Sequence, residues 1–147
     1  MGDRSLGPRG APRPLSMIAI TTTTILPLDF LSAYADNLRA FGRDREVTIY
    51  IAGDRKSPAS SEEQARVCCA DGIDARFLSL ETQAEVLRPY PDLAAILPEN
   101  SDNRRNAAFV AALRDGAEVV ISIDDDNWCL PDEDFVGGHL AIGKTLE

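Results

Sequence analysis

The chain has 147 residues, 44% of them hydrophobic, which suits a single domain able to bury a real core. Its net charge of −9 argues against a general nucleic-acid binder, because such proteins need a basic face to displace counterions from phosphate. No window approaches the roughly 18 apolar residues of a membrane span and no run resembles a signal peptide, so a cytoplasmic chain with no membrane span is expected.

The first sixteen residues, MGDRSLGPRGAPRPLS, carry three Gly, three Pro and three Arg without apolar periodicity and read as a disordered leader to a domain over 17–147. An apolar strand is predicted at about Met17 to Thr22, breaking in a threonine turn before Pro27. Phe30, Leu31, Tyr34, Leu38 and Phe41 then recur at helical spacing until Gly42 stops the helix. Val47 to Ala52 is β-branched and aromatic, a second strand ending in Gly53 and Asp54. EEQARVCCADG, after Ser60 and Ser61, gives a second helix with an acidic first turn and a closing glycine.

A short third strand is predicted near Arg76 to Leu78, then a helix that Pro89 and Pro91 end, then a loop or loose helical turn from Asp92 to Asn100. SDNRRNAAFVAALRDG is the clearest helix, capped by Ser101 or Asp102 and closed by Gly116. Asn106, Phe109 and Leu113 form its expected core-facing stripe, which leaves Asn106 in need of a polar partner. EVVISI, almost continuously apolar, reads as an interior parallel strand covered on both faces. Asp132 is the expected cap of a final helix.

Strand and helix thus alternate about four times, which predicts an α/β fold: a Rossmann-like, mostly parallel sheet in three layers, α/β/α. Ligands of such sheets sit beyond the carboxyl ends of the strands. That rule selects Thr21 to Thr24, Gly53 with Asp54, and Asp124 to Asp126, all on one edge.

Asp124, Asp125 and Asp126 repel one another, and a divalent cation would relieve the repulsion. Oxygen ligands select hard ions, Mg²⁺ or Mn²⁺, which keep waters and bridge to substrate phosphates. In an extended segment Asp124 and Asp126 share a face while Asp125 points away. The competing reading is a solvated turn that caps the helix to follow. An EF-hand is excluded, since Trp128, Cys129 and Phe135 occupy its fifth, sixth and twelfth positions. Of Arg104 and Arg105, which oppose the helix dipole, one is expected to face phosphate and the other solvent. The three cysteines read as reduced thiols, Trp128 as packed beneath the acidic loop or lining a ligand pocket beside it, and His139 as structural or exposed.

ENSDNRRNAAFVAALRDGAEVVISIDDDN resembles a segment of GT-A glycosyltransferases, especially the family 2 type and the related reversibly glycosylated polypeptides. In both, an Arg-Asn helix leads through an alanine-rich body into an apolar strand ending in D-x-D. The order of elements matches over roughly Met17 to His139, and the residues match specifically over about Ser101 to Asn127. The resemblance implies a nucleotide-diphospho-sugar donor, UDP- or GDP-linked, and a Mn²⁺ or Mg²⁺ cofactor. It places Thr21, Thr22 and Thr23 in the first nucleotide loop and Asp54 on the base, although IAG precedes Asp54 here instead of the usual acidic pair and Gly-Ser. Arg105 and Asn106 match the Arg-Asn of the helix. Asp124 and Asp126 become metal ligands, Asp126 the more direct, and Asp124 with Asp125 lie toward the ribose or sugar.

The implied function is metal-dependent transfer of a hexosyl or pentosyl group to a hydroxyl acceptor of unknown identity. No residue is assigned as base. The resemblance implies a longer protein, so the acceptor site is expected from a missing C-terminal region or a second chain. The alternative is a non-catalytic nucleotide- or metal-binding α/β module, or an inactive transferase fragment.

Overall fold

A computed structural model describes residues 18–145. The expected leader and Met17 lie outside the described residues. Four strands, β1 (Ile18–Thr23), β2 (Val47–Ala52), β3 (Asp74–Leu78) and β4 (Val119–Ser122), form one all-parallel sheet in the order β3-β2-β1-β4. Helices α1 (Phe30–Ala40), α2 (Ser61–Ala70), α3 (Leu80–Leu87), α4 (Pro91–Ile96), α5 (Arg105–Arg114) and α6 (Phe135–His139) surround it, and a 3₁₀ turn, Asp102–Arg104, leads into α5. The fold is α/β in three layers, as the alternation of elements predicts.

The pleat divides the core. Ile18 and Ile20 of β1, with Val47, Ile49 and Ile51 of β2, face α1, α2 and α6. Ala19, Tyr50 and Ala52 face the opposite layer, where α5 lays Ala108, Ala111 and Ala112 against the sheet and α3 adds Val86. Each buried aliphatic side chain contributes about 1.5–3 kcal/mol, so the two faces together outweigh any single surface ion pair. Among the described residues no helix is long and apolar enough to cross a membrane.

Four expectations need correction. β4 pairs only with β1 and stands at an edge of the described sheet, with Val119 and Val120 half-buried; the interior strands are β1 and β2. An apolar run marks a strand as coverable without fixing its place in the sheet order. Thr21, Thr22 and Thr23 lie within β1 and not in a loop, the first two fully buried. Their β-branched side chains fit a pleat, and nothing before Thr24 ends the strand.

The third correction concerns α5. Its buried face is Ala107, Ala108, Ala111 and Ala112, while Leu113 is 62% exposed. Small side chains let the helix sit close on the sheet, and a stripe traced through the larger residues picks the wrong side. Finally, Asp134 caps α6, its carboxylate accepting from the Gly137 amide at 2.8 Å; Asp132 is exposed.

The segment after β4 is anchored to the underside of α1. The Tyr34 hydroxyl donates to the Asn127 carbonyl at 3.0 Å, and the Asn37 amide donates to the carbonyls of Leu130 and Glu133 at 2.9 and 2.7 Å. Burial, with Cys129 nearby, pushes the Tyr34 phenol up to about 12, so it remains a donor throughout the physiological range.

Candidate functional site

A cleft of about 410 Å³ opens at the carboxyl edge of the sheet, beside β1 and β4, where the strand order reverses. Thr23, Thr24, Asp54, Ser101, Arg105 and the three consecutive aspartates line it, with Ile25, Asn100 and Asp102. Four segments spread over about a hundred residues of sequence are thereby gathered at one place, as parallel topology requires.

Each loop is held by named contacts. The Thr23 hydroxyl donates to the Ala52 carbonyl at 2.8 Å, joining the ends of β1 and β2, and the Ser57 hydroxyl donates to the Thr24 carbonyl at 2.7 Å, joining the loops that follow them. Gly53 has a steric role: a Cβ there would collide with the Phe77 ring, so the chain turns past β3 only with hydrogen at that position.

Asp54 is 8% exposed and accepts from the amides of Arg55 at 2.8 Å and Ser101 at 3.1 Å. Burial alone would raise its pKa. Backbone N–H donors from Asn100, Arg55 and Ser101, with the charge of Arg104, outweigh it and hold the carboxyl below its ordinary value. Asn100 sits at φ 52°, in the left-handed region that asparagine tolerates, which turns the chain so that these amides reach Asp54.

The acidic loop is a turn, not the expected extended segment. The Asn127 amide donates to the Asp124 carbonyl at 3.0 Å while the Asn127 side chain accepts from the Asp124 amide at 3.1 Å. The asparagine after the aspartates closes the turn, and all three carboxylates reach the cleft wall. Asp125 is not turned away: its carboxylate accepts from the Thr24 hydroxyl at 2.5 Å. Arg105 reaches Asp124 at 2.7 Å and Ser122 at 3.2 Å. The Asp126 carboxylate, exposed, makes no hydrogen bond or ion pair among the described residues.

Thr23, Asp54, Arg105, Asp124, Asp125 and Asp126 are therefore brought together. Thr21, Thr22 and Asn106 are not. The Thr21 hydroxyl donates within the sheet to the Ile121 carbonyl at 3.4 Å, and Asn106 donates to the Asn103 carbonyl at 2.8 Å in its own helical turn. Arg104 faces neither phosphate nor solvent. It is 6% exposed, and its guanidinium donates to Gln83 Oε1 and the Leu97 carbonyl. Gln83 in turn donates to the carbonyls of Gly53 and Leu78, both at 2.7 Å, so this buried pair fixes α5 relative to β2 and β3.

Trp128 is 56% exposed and lines a separate groove between α1 and α2, with Leu28 and Cys68, not the aspartate cleft. The three cysteines are free thiols, and His139 is exposed against Phe135. Thr24, which the strand-end rule selects, lines the cleft as well, as do Ile25, Asn100, Ser101 and Asp102, for which the sequence suggests no ligand-binding role. For Asn100 a signal existed: a left-handed asparagine just before a helix cap is a common turn device.

Five carboxylates (Asp54, Asp102, Asp124, Asp125, Asp126) face one guanidinium (Arg105) across the cleft. Such a surface repels a free anion and attracts a divalent cation. No three acidic, His or Cys side chains converge on one point among the described residues. Mg²⁺ and Mn²⁺ need fewer: one or two carboxylates, with waters and substrate phosphates completing the shell. The oxygen-only donors Asp124 and Asp126 fit that chemistry.

The chain matches no protein-family model and no curated protein.

Proposed function

We propose that the cleft binds a nucleotide-diphospho-sugar together with Mn²⁺ or Mg²⁺, and that the chain is the donor-binding part of a metal-dependent glycosyltransferase of GT-A type. The observation that carries this reading is the meeting of Asp54, Thr23, Arg105 and the Asp124–Asp126 turn on one cleft where the strand order reverses. Asp124 and Asp126 would hold the cation, which supplies charge neutralisation for the diphosphate as a leaving group. Arg105 offers planar N–H donors to a phosphate oxygen. Asp54, held ionised by backbone amides, offers an acceptor to a nucleobase or ribose donor. The strongly acidic lining supports the metal requirement, because a diphosphate gains a favourable environment here only with a cation beside it.

Isothermal titration of UDP, GDP and ADP in the presence and absence of Mn²⁺ tests the reading. One nucleoside diphosphate is expected to bind, only with Mn²⁺, and to lose binding in Asp126→Asn. Absence of binding by all three with Mn²⁺ present contradicts it. Binding without release of sugar from any donor would restrict the chain to a binding module.

A further inference from the structure

Arg105 and Asp124 occupy each other. The Arg105 guanidinium contacts Asp124 through one nitrogen, Nη2 to Oδ1 at 2.7 Å, while Nη1 donates to the Ser122 hydroxyl at 3.2 Å. Its Nε is buried and has no hydrogen-bond partner. Guanidinium carries five N–H donors in a fixed fork suited to two-point contact with carboxylate or phosphate, and here the carboxylate takes only one of them. Arg105 opens α5 and Asp124 follows β4, so both stand on the cleft wall at the ends of fixed elements.

We propose that this ion pair is an internal substitute for ligand, so that a divalent cation and a phosphate-bearing anion bind cooperatively and each alone binds weakly. The inference rests on the donor-site reading above. A cation arriving alone must draw Asp124 away and leave the Arg105 guanidinium unpaired. An anion arriving alone must draw Arg105 away and leave Asp124 unpaired beside four other carboxylates. Two of the neighbours are already committed, Asp125 to Thr24 and Asp54 to the Arg55 and Ser101 amides, so neither takes over the released guanidinium. When both ligands enter, each released charge meets a new partner. Coupling of this kind is reciprocal: the cation raises affinity for the anion by the factor with which the anion raises affinity for the cation.

The test uses inorganic pyrophosphate in chelator, free of divalent metal, against the intact chain, Asp124→Asn and Asp102→Asn. Both variants remove one negative charge from the cleft, but only Asp124→Asn frees Arg105; Asp102 is exposed and in no ion pair among the described residues. Asp124→Asn is expected to bind pyrophosphate about tenfold more tightly than Asp102→Asn, within the usual range of coupling factors. Equal affinity in the two variants overturns the proposal. A second arm reads Mn²⁺ alone by electron paramagnetic resonance: Arg105→Gln is expected to bind it several-fold more tightly than the parent, and unchanged or weaker binding overturns the proposal. Metal-loaded nucleotide binding by the parent chain reports separately on the donor-site reading. Should the parent bind nucleotide with Mn²⁺ while neither variant gains affinity, only the coupling falls.

Discussion

The Thr24 hydroxyl donates to the Asp125 carboxylate across 2.5 Å, tying the loop after β1 to the turn after β4 over 101 residues of chain. This bond closes the back of the cleft and commits Asp125 to the protein. Hydrogen bonds to charged groups contribute about 1.5–3 kcal/mol. Thr24→Val, nearly equal in volume, is expected to lower stability by about that amount in urea unfolding, and to weaken Mn²⁺-dependent nucleotide binding by releasing the turn. A variant as stable as the parent would show that the two loops hold their positions independently.

Gly53→Ala introduces a Cβ into the Phe77 ring. Overpacking of this kind costs about 1–3 kcal/mol. The double variant Gly53→Ala/Phe77→Leu is expected to recover part of that loss, because a smaller side chain clears the contact. Absence of recovery would place the cost in the backbone instead of in the ring contact.

Arg104→Met removes the donors that satisfy Gln83 Oε1 deep between α3 and α5. An orphaned buried acceptor costs about 1–3 kcal/mol. The expected result is a lower urea midpoint with an unchanged slope. Nucleotide binding, measured at a temperature where both proteins are folded, is expected to stay within about threefold of the parent, since Arg104 does not line the cleft.

Asp54 has a pKa below its ordinary value when folded. Its ionised form is therefore favoured by folding. The stability this supplies is fully present above the unfolded carboxyl value, about 4, and is lost as pH falls through the lower folded value. Asp134, held down first by its hydrogen bonds to Arg43, acts in the same direction. Chemical unfolding followed from about pH 6 to about pH 2.5 should show falling stability in the parent and a shallower fall in Asp54→Asn. Identical slopes would remove Asp54 from the account.

Order and type of the strands and of most helices were legible because periodicity changes sharply along the chain: β2 is buried throughout, while α1 repeats its large apolar residues at helical spacing; Pro91–Ile96 forms helix α4 where the chain reads as a loop or loose helical turn. The gathering of Asp54 and Asp124–Asp126 on one edge followed from parallel topology, whereas Arg105 entered the reading through the resemblance of the α5 segment. What failed were features decided by three-dimensional context. The buried alanine face of α5 hides behind larger residues, the edge place of β4 depends on what pairs with it, and the exposure of Trp128 depends on where Tyr34 and Asn37 anchor the returning chain. Arg104 and Arg105 are adjacent and chemically identical. Only the packed structure sends one into the core with Gln83 and the other to the cleft with Asp124.

The central claim is that the Asp124–Asp126 turn holds a cation that recruits a nucleoside diphosphate. Thermal unfolding tests it most directly: the chain alone, with Mn²⁺, and with Mn²⁺ plus UDP, GDP or ADP, beside Asp126→Asn. A ligand at about 100 times its dissociation constant adds roughly 2.7 kcal/mol, enough to raise the midpoint by several degrees in a domain of this size. The account predicts that one nucleotide raises the midpoint only with Mn²⁺ present, and that the rise vanishes in Asp126→Asn. A cooperative transition that no nucleotide moves, with or without metal, would contradict it.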